Sequence, residues 1–127
     1  MQKKRCAYEQ KAAELVRRHS SMPIVCAYHL FHDRNVIQRG ASALLNARLL
    51  PVIDGFLKAV RSSMQLRNLN YPVVIMRSDG SLMNETYALN HPVETLLCGP
   101  AASVMGGAYL GHYPKSVIID MGGTTSD

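Results

Sequence analysis

The chain lacks any run of hydrophobic residues approaching the ~20 that a membrane-spanning helix needs, so the sequence offers no membrane segment. A secretory leader is not expected either, because Lys3, Lys4 and Arg5 lead into Tyr8, Glu9, Gln10 and Lys11 and not into an apolar core. The expected location is therefore the cytoplasm. Cysteine is scarce: Cys6, Cys26 and Cys98 are an odd number at wide spacings, which suits reduced, mostly buried thiols better than a disulfide framework. Internal repeats and low-complexity segments are absent. Acidic residues are sparse in the first half, where positions 1–70 hold 12 Lys/Arg against 4 Asp/Glu, or +8. Positions 71–127 hold 2 against 5, or −3, so the two halves sum to the net +5. A basic half can attract nucleic acid, but these charges are dispersed over helical segments without a reading helix or interleaved aromatics. Solvated helix faces account for them, and no nucleic-acid partner is expected. What is present is enough for one globular domain: 127 residues, 47% of them hydrophobic, can bury a single core.

Along residues 4–19, Ala7, Tyr8, Ala12, Ala13, Leu15 and Val16 recur every three or four positions and predict an amphipathic helix, stopped by Ser20, Ser21 and Pro23. Ile24–Leu30 is a short apolar run, read as a strand buried on both sides of a parallel sheet. From Val36 to Leu66 the apolar positions return at helical spacing, with Pro51 inside, which predicts either one kinked helix or two consecutive ones. Val73–Met76 reads as a second strand, ended by the turn signal Arg77-Ser78-Asp79-Gly80-Ser81. Short helices are expected around Glu85–Leu89 and after Pro92, and another from about Ala101 to Leu110, stopped by Gly111. Gly106 and Gly107 within that helix would let another backbone approach closely. Ser116–Asp120 is a third strand candidate. Helices alternating with short apolar strands argue for an α/β layered architecture, with helices on a short, mostly parallel sheet.

The chemistry concentrates in the final string, Asp120-Met-Gly-Gly-Thr-Thr-Ser-Asp127. An acid closes an apolar strand, and Gly122 and Gly123 then let the backbone turn while presenting N–H groups with no side chain in the way. Successive N–H donors around Gly122, Gly123 and Thr124 can cradle phosphate oxygens, and the hydroxyls of Thr124 and Thr125 add further donors. Asp120, with Asp127, would meet the divalent cation that accompanies a nucleoside triphosphate, through its waters. The bland alternative is a polar β-turn that happens to contain Gly-Gly.

That string resembles the phosphate loop of the actin/sugar-kinase/heat-shock ATPase fold, in the variant used by the hydantoinase/oxoprolinase family. Leu45-Asn46-Ala47 with Leu50-Pro51-Val52-Ile53, then Met76 to Met83, then Pro92 to Ser103, also resemble family segments lying just upstream of that family's second phosphate loop. Cys98 stands where many relatives have Ser. The resemblance implies a partial actin-like (ribonuclease H-like) ATPase domain and an internal fragment of a longer protein. Residues 1–115 would close the first ATPase domain with its connecting helix, and 116–127 would open the second. It implies ATP and Mg as cofactors, with Asp120 and Thr124 as the acting groups and Gly122, Gly123, Thr124, Thr125 and Asp127 on the nucleotide. It also implies ring opening of a hydantoin or 5-oxoproline, a second, larger subunit that completes turnover, and no turnover by this piece alone. A related ketone carboxylase, or a non-catalytic α/β module prone to self-association through an exposed strand edge, are the rival expectations.

Two further groups follow from position. Ser78, Asp79 and Gly80 lie past a predicted parallel strand, where ligands of open α/β sheets bind; the same Asp-Gly also serves as a plain turn. Gly99 and Pro100 either aim a helix N-terminus at an anionic or carbonyl group or serve tight packing. Cys26, His29 and His32 recur every three residues, but on a strand they would point to opposite faces, which argues against zinc. Ser103 and Ser116 have no base or elbow sequence around them, so a serine hydrolase is unsupported.

Overall fold

A computed structural model describes residues 2–31, 35–112 and 115–123. The chain is α/β and mostly helical: α1 (Gln2–His19), α2 (Ala27–Leu30), α3 (Val36–Leu66), β1 (Val74–Met76), β2 (Leu82–Asn84), α4 (Glu85–Asn90), a 3₁₀ turn (Pro92–Thr95) and α5 (Cys98–Gly111). No described helix is long and apolar enough to cross a membrane.

The helix predicted over 36–66 is α3, one continuous 31-residue element with Pro51 inside it. Its start is fixed by Asn35, whose Oδ1 accepts the N–H groups of Ile37 and Gln38, both at 3.1 Å. Such a cap satisfies donors that the helix itself cannot. Asn84 does the same for α4, accepting from Tyr87 N–H at 2.8 Å. The helix at the end of the chain begins three residues earlier than expected, at Cys98. It ends at Gly111, with His112 in the left-handed conformation beyond it.

Two strand expectations do not hold. Ile24–Leu30 contains no strand; its second half is the short helix α2. A carboxylate 19 residues upstream decides this, since Glu9 Oε2 accepts the Tyr28 N–H at 3.1 Å while Glu9 also pairs with Arg39 of α3. Glu9 thereby ties α1, α2 and α3 together. The argument against zinc at Cys26 and His29 rested on a strand and so loses its premise; His32 lies outside the described residues. Among the described residues no group of three or more His, Cys, Asp or Glu could hold a metal ion. The cysteines are free and half-buried, not mostly buried. Burial, with the nearby Glu9 charge, pushes the Cys26 thiol pKa up, away from the range of activated thiolates.

Nor is the sheet parallel. The ladder among the described residues is antiparallel, β1 against β2, with Val74 opposite Asn84, Ile75 opposite Met83 and Met76 opposite Leu82. The turn that was expected to end a strand instead reverses the chain into a second one. Gly80 supplies a positive φ of 82°, Arg77 N–H donates to the Ser81 carbonyl at 2.8 Å, and Asp79 Oδ1 accepts both the Ser81 N–H (2.9 Å) and hydroxyl (2.6 Å). An Asp side chain bonding two residues on is the usual reinforcement of such a turn. Residues 116–120 are not part of this sheet, and a single β-bridge residue, Met121, follows them.

The core lies where α3 meets the hairpin, α4 and the 3₁₀ turn. Ile53, Leu57, Met83, Ala88 and Pro92 are buried there together with one polar side chain, Asn46. Asn46 is fully enclosed, at 0% exposure, and both ends of its amide are used. Its Nδ2 donates to the Asn90 carbonyl at 2.9 Å and its Oδ1 accepts the Val93 N–H at 3.1 Å. These bonds close the ends of two short elements that α3 would otherwise meet only through apolar contact, and a buried amide left unmatched would be costly.

Candidate functional site

Helix α5 carries two candidate regions on neighbouring faces. Its Pro100, Ala101, Val104 and Met105, with Leu97 before it, line one side of a cleft of about 350 Å³ whose other side is Ser78, Asp79 and Gly80. The hairpin turn is held there from two directions. Ser78 N–H donates to the Glu94 carbonyl at 3.0 Å, and a Cβ on Gly80 would stand 3.1 Å from Met105 Cγ. Glycine at position 80 is thus needed for its φ, and a Cβ there would also press on the exposed Met105 side chain. Leu97 enters α5 in the left-handed conformation, φ 61°, without a side-chain cap, an uncommon state for a bulky residue.

Of the positions expected on the substrate side, the structure brings Ser78, Asp79, Gly80 and Pro100 together around this cleft and leaves Gly99 out of it. Gly99 is exposed, and a Cβ there would meet nothing within 4 Å. Packing among the described residues does not require glycine at that position. The Asp79 carboxyl is held below the usual carboxylate range by the Ser81 hydroxyl first and the Ser81 N–H second.

Beside the cleft stands a polar cluster assembled from residues that are not neighbours in the chain. Arg77 Nε lies 2.5 Å from Glu94 Oε2. That is ion-pair distance, although the N–H is not aimed at the oxygen and neither buried atom completes a hydrogen bond by geometry. Tyr87 donates its hydroxyl to Glu94 Oε1 at 3.0 Å and stacks on His91, with ring centres 4.0 Å apart. Burial, and then Glu94, push the Tyr87 hydroxyl pKa up. Three elements contribute to this cluster, so no local pattern could have disclosed it.

On the adjoining face of α5 lies Asp120, half-buried, its Oδ2 accepting the Ser103 hydroxyl at 2.5 Å. One helical turn further along, a Cβ on Gly107 would sit 2.7 Å from two side-chain atoms of Ile118. What comes close at Gly107 is the Ile118 side chain and not the backbone expected at the Gly106-Gly107 pair, while Gly106 faces open space. Gly122 and Gly123 follow Asp120, both exposed, and a Cβ on Gly123 would meet nothing within 4 Å. Thr124, Thr125 and Asp127 lie outside the described residues. Ser103, set aside as a nucleophile, is the residue whose importance was missed; it stands 17 positions from its partner.

Comparison with known proteins adds a family and a length. Residues 39–127 match the sequence model described as Hydantoinase/oxoprolinase. The chain is also 28% identical over 123 residues to an uncharacterized protein of Methanocaldococcus jannaschii, an alignment that covers 94% of this chain and 18% of that protein. No solved structure matches it. The chain thus spans less than a fifth of the length of that relative.

Proposed function

This chain belongs to the hydantoinase/oxoprolinase family, and from that premise we propose that it is part of an ATP-dependent subunit that opens cyclic amides such as hydantoins or 5-oxoproline. The observation that carries this is Asp120. Its carboxylate is held by the Ser103 hydroxyl, and one residue further on come two exposed glycines with room around Gly123. A carboxylate two residues before exposed glycines is a sequence suited to a phosphate chain and its cation, with the carboxylate for the cation and main-chain N–H groups for the phosphates.

The residues present fit Mg and ATP in a specific way. No protein cage of three acidic or imidazole ligands exists among the described residues, but magnesium characteristically keeps several waters and binds through one or two carboxylates plus substrate phosphates. Asp120 supplies one such carboxylate. Gly122 and Gly123 offer main-chain N–H donors, and Thr124, Thr125 and Asp127 would complete the loop.

Bound ATP supplies a phosphoryl group that turns a ring carbonyl oxygen into a leaving group, which matters because ring amides resist hydrolysis. The chain's own task is positioning: main-chain N–H groups hold the phosphates, and Asp120 holds a cation's water in place for transfer. The cleft of Ser78, Asp79, Gly80 and Pro100 would face the ring substrate. In this assignment residues 1–115 end a first actin-like ATPase domain, α5 is its connecting helix, and 116–127 begin the second. A larger partner subunit completes turnover, so the 127-residue chain alone has no steady ATPase activity.

Calorimetric titration of the chain with Mg-ATP into the millimolar range tests the binding. Heat of binding in the unaltered chain, lost in Asp120→Ala, is expected. Equal heat in both proteins, or none in the unaltered chain, would refute the assignment.

A further inference from the structure

The segment bearing Asp120 runs alongside α5 in register. Ser103 meets Asp120 and Gly107 meets Ile118, so as the helix advances the extended segment retreats, and the two are antiparallel. Four residues of helix rise about 6 Å, and two residues of extended chain span about 6–7 Å. The two contacts are therefore spaced alike on both elements. Alternation follows: Ile118 and Asp120 turn toward the helix and are half-buried, whereas Val117, Ile119 and Met121 face away at 88%, 74% and 78% exposure. The apolar contact at Gly107 sets how close the segment lies. The polar contact at Ser103 acts on the carboxylate itself.

We propose that Ser103 is a positioning residue for Asp120: its hydroxyl holds Oδ2 against α5 and so fixes the rotamer from which the carboxylate meets a cation's water. A hydroxyl donating to a carboxylate is a bond of the charge-assisted kind, and half-burial shields it from competing water. Without it the Asp120 side chain is free to exchange rotamers, and the carboxylate that meets a cation's water is no longer preorganised. The same helix forms a wall of the Ser78–Gly80 cleft on its adjoining face, so a displacement of α5 by a ligand in the cleft would move Ser103 with it. This inference rests on the nucleotide-binding assignment for its purpose but not for its geometry.

The experiment compares the unaltered chain with Ser103→Ala and Ser103→Thr by NMR. The first measurement is the χ1 coupling constants of Asp120 without ligand; the second is the Mg-ATP dissociation constant from the Gly122 and Gly123 amide signals. The expected result is a single Asp120 rotamer in the unaltered chain, averaging in Ser103→Ala and restoration in Ser103→Thr. Mg-ATP binding should weaken about tenfold in Ser103→Ala, the scale of one lost charge-assisted hydrogen bond, and recover in Ser103→Thr. An Asp120 rotamer unchanged in Ser103→Ala would overturn the proposal whatever the ligand does. A rotamer that responds as expected, in a chain whose glycine amides ignore Mg-ATP, would support the Ser103–Asp120 coupling and refute the nucleotide assignment instead.

Discussion

From α3 to the 3₁₀ turn, buried side chains interlock, with Asn46, Ile53, Leu57, Met83, Ala88 and Pro92 closing on one another across four elements. From α5 to Gly123 no described side chain is buried at all, and Val104, Met105, Tyr109, Leu110, Val117, Ile119 and Met121 stand exposed. The first region has its own core, whereas the second is placed by a few point contacts: Met105 on Gly80, Ser103 on Asp120 and Ile118 on Gly107. Both candidate sites depend on that second region. The part of the chain that holds both candidate sites is thus also the part least enclosed by its own described residues.

The sharpest way to break this contrast is at the centre of the first region. Leu57 is 1% exposed, and Leu57→Ala should cost about 2–5 kcal/mol, as cavity-forming changes in a packed core do. Urea denaturation followed by far-UV circular dichroism measures it, and an unchanged midpoint would mean that the α3 core is not what holds the chain together. Asn46→Ala should cost roughly 2 kcal/mol, because it strands the Asn90 carbonyl and the Val93 N–H. Its signature should be faster amide exchange in α4 and the 3₁₀ turn, with α5 little affected.

The smallest effect expected is at the hairpin turn that joins the two regions. The Asp79 pKa in the folded chain lies below its ordinary value of 3.8. Its contribution is therefore present above that value and fades as pH falls through the folded one. Following the Ser81 amide shift through acid titration should show this transition displaced to low pH. Asp79→Asn should abolish it, and a midpoint at or above the ordinary carboxylate value would contradict the turn geometry.

What could be foreseen from the sequence divides along the same line. The α3 spacing and the β1 run Val74–Met76 were readable because each is settled by its own residues. The face of α3 was harder: among its apolar positions Leu44 and Leu45 are exposed, and Asn46 between them and Ala47 is the buried residue. A polar residue enters the core only because Asn90 and Val93, more than 40 positions away, supply its partners. Strand β2 was missed since three residues are too few to show alternation and its pairing needs the turn to close. At Ile24–Leu30 a short apolar run fits helix and strand equally, and Glu9 decides between them. The Gly-Gly loop and its acid were visible as a motif; Ser103's hold on Asp120 was not, because only the return of the chain along α5 brings them together.

Hydrogen exchange of both regions, recorded by NMR with and without Mg-ATP, tests the central claim most directly. The expected result is slowed exchange at the amides of Asp120 to Gly123 on adding Mg-ATP, with Ile53 and Leu57 in α3 unchanged. Protection confined to α3, or no change at Gly122 and Gly123 at millimolar nucleotide, would contradict the claim that this loop grips a phosphate chain.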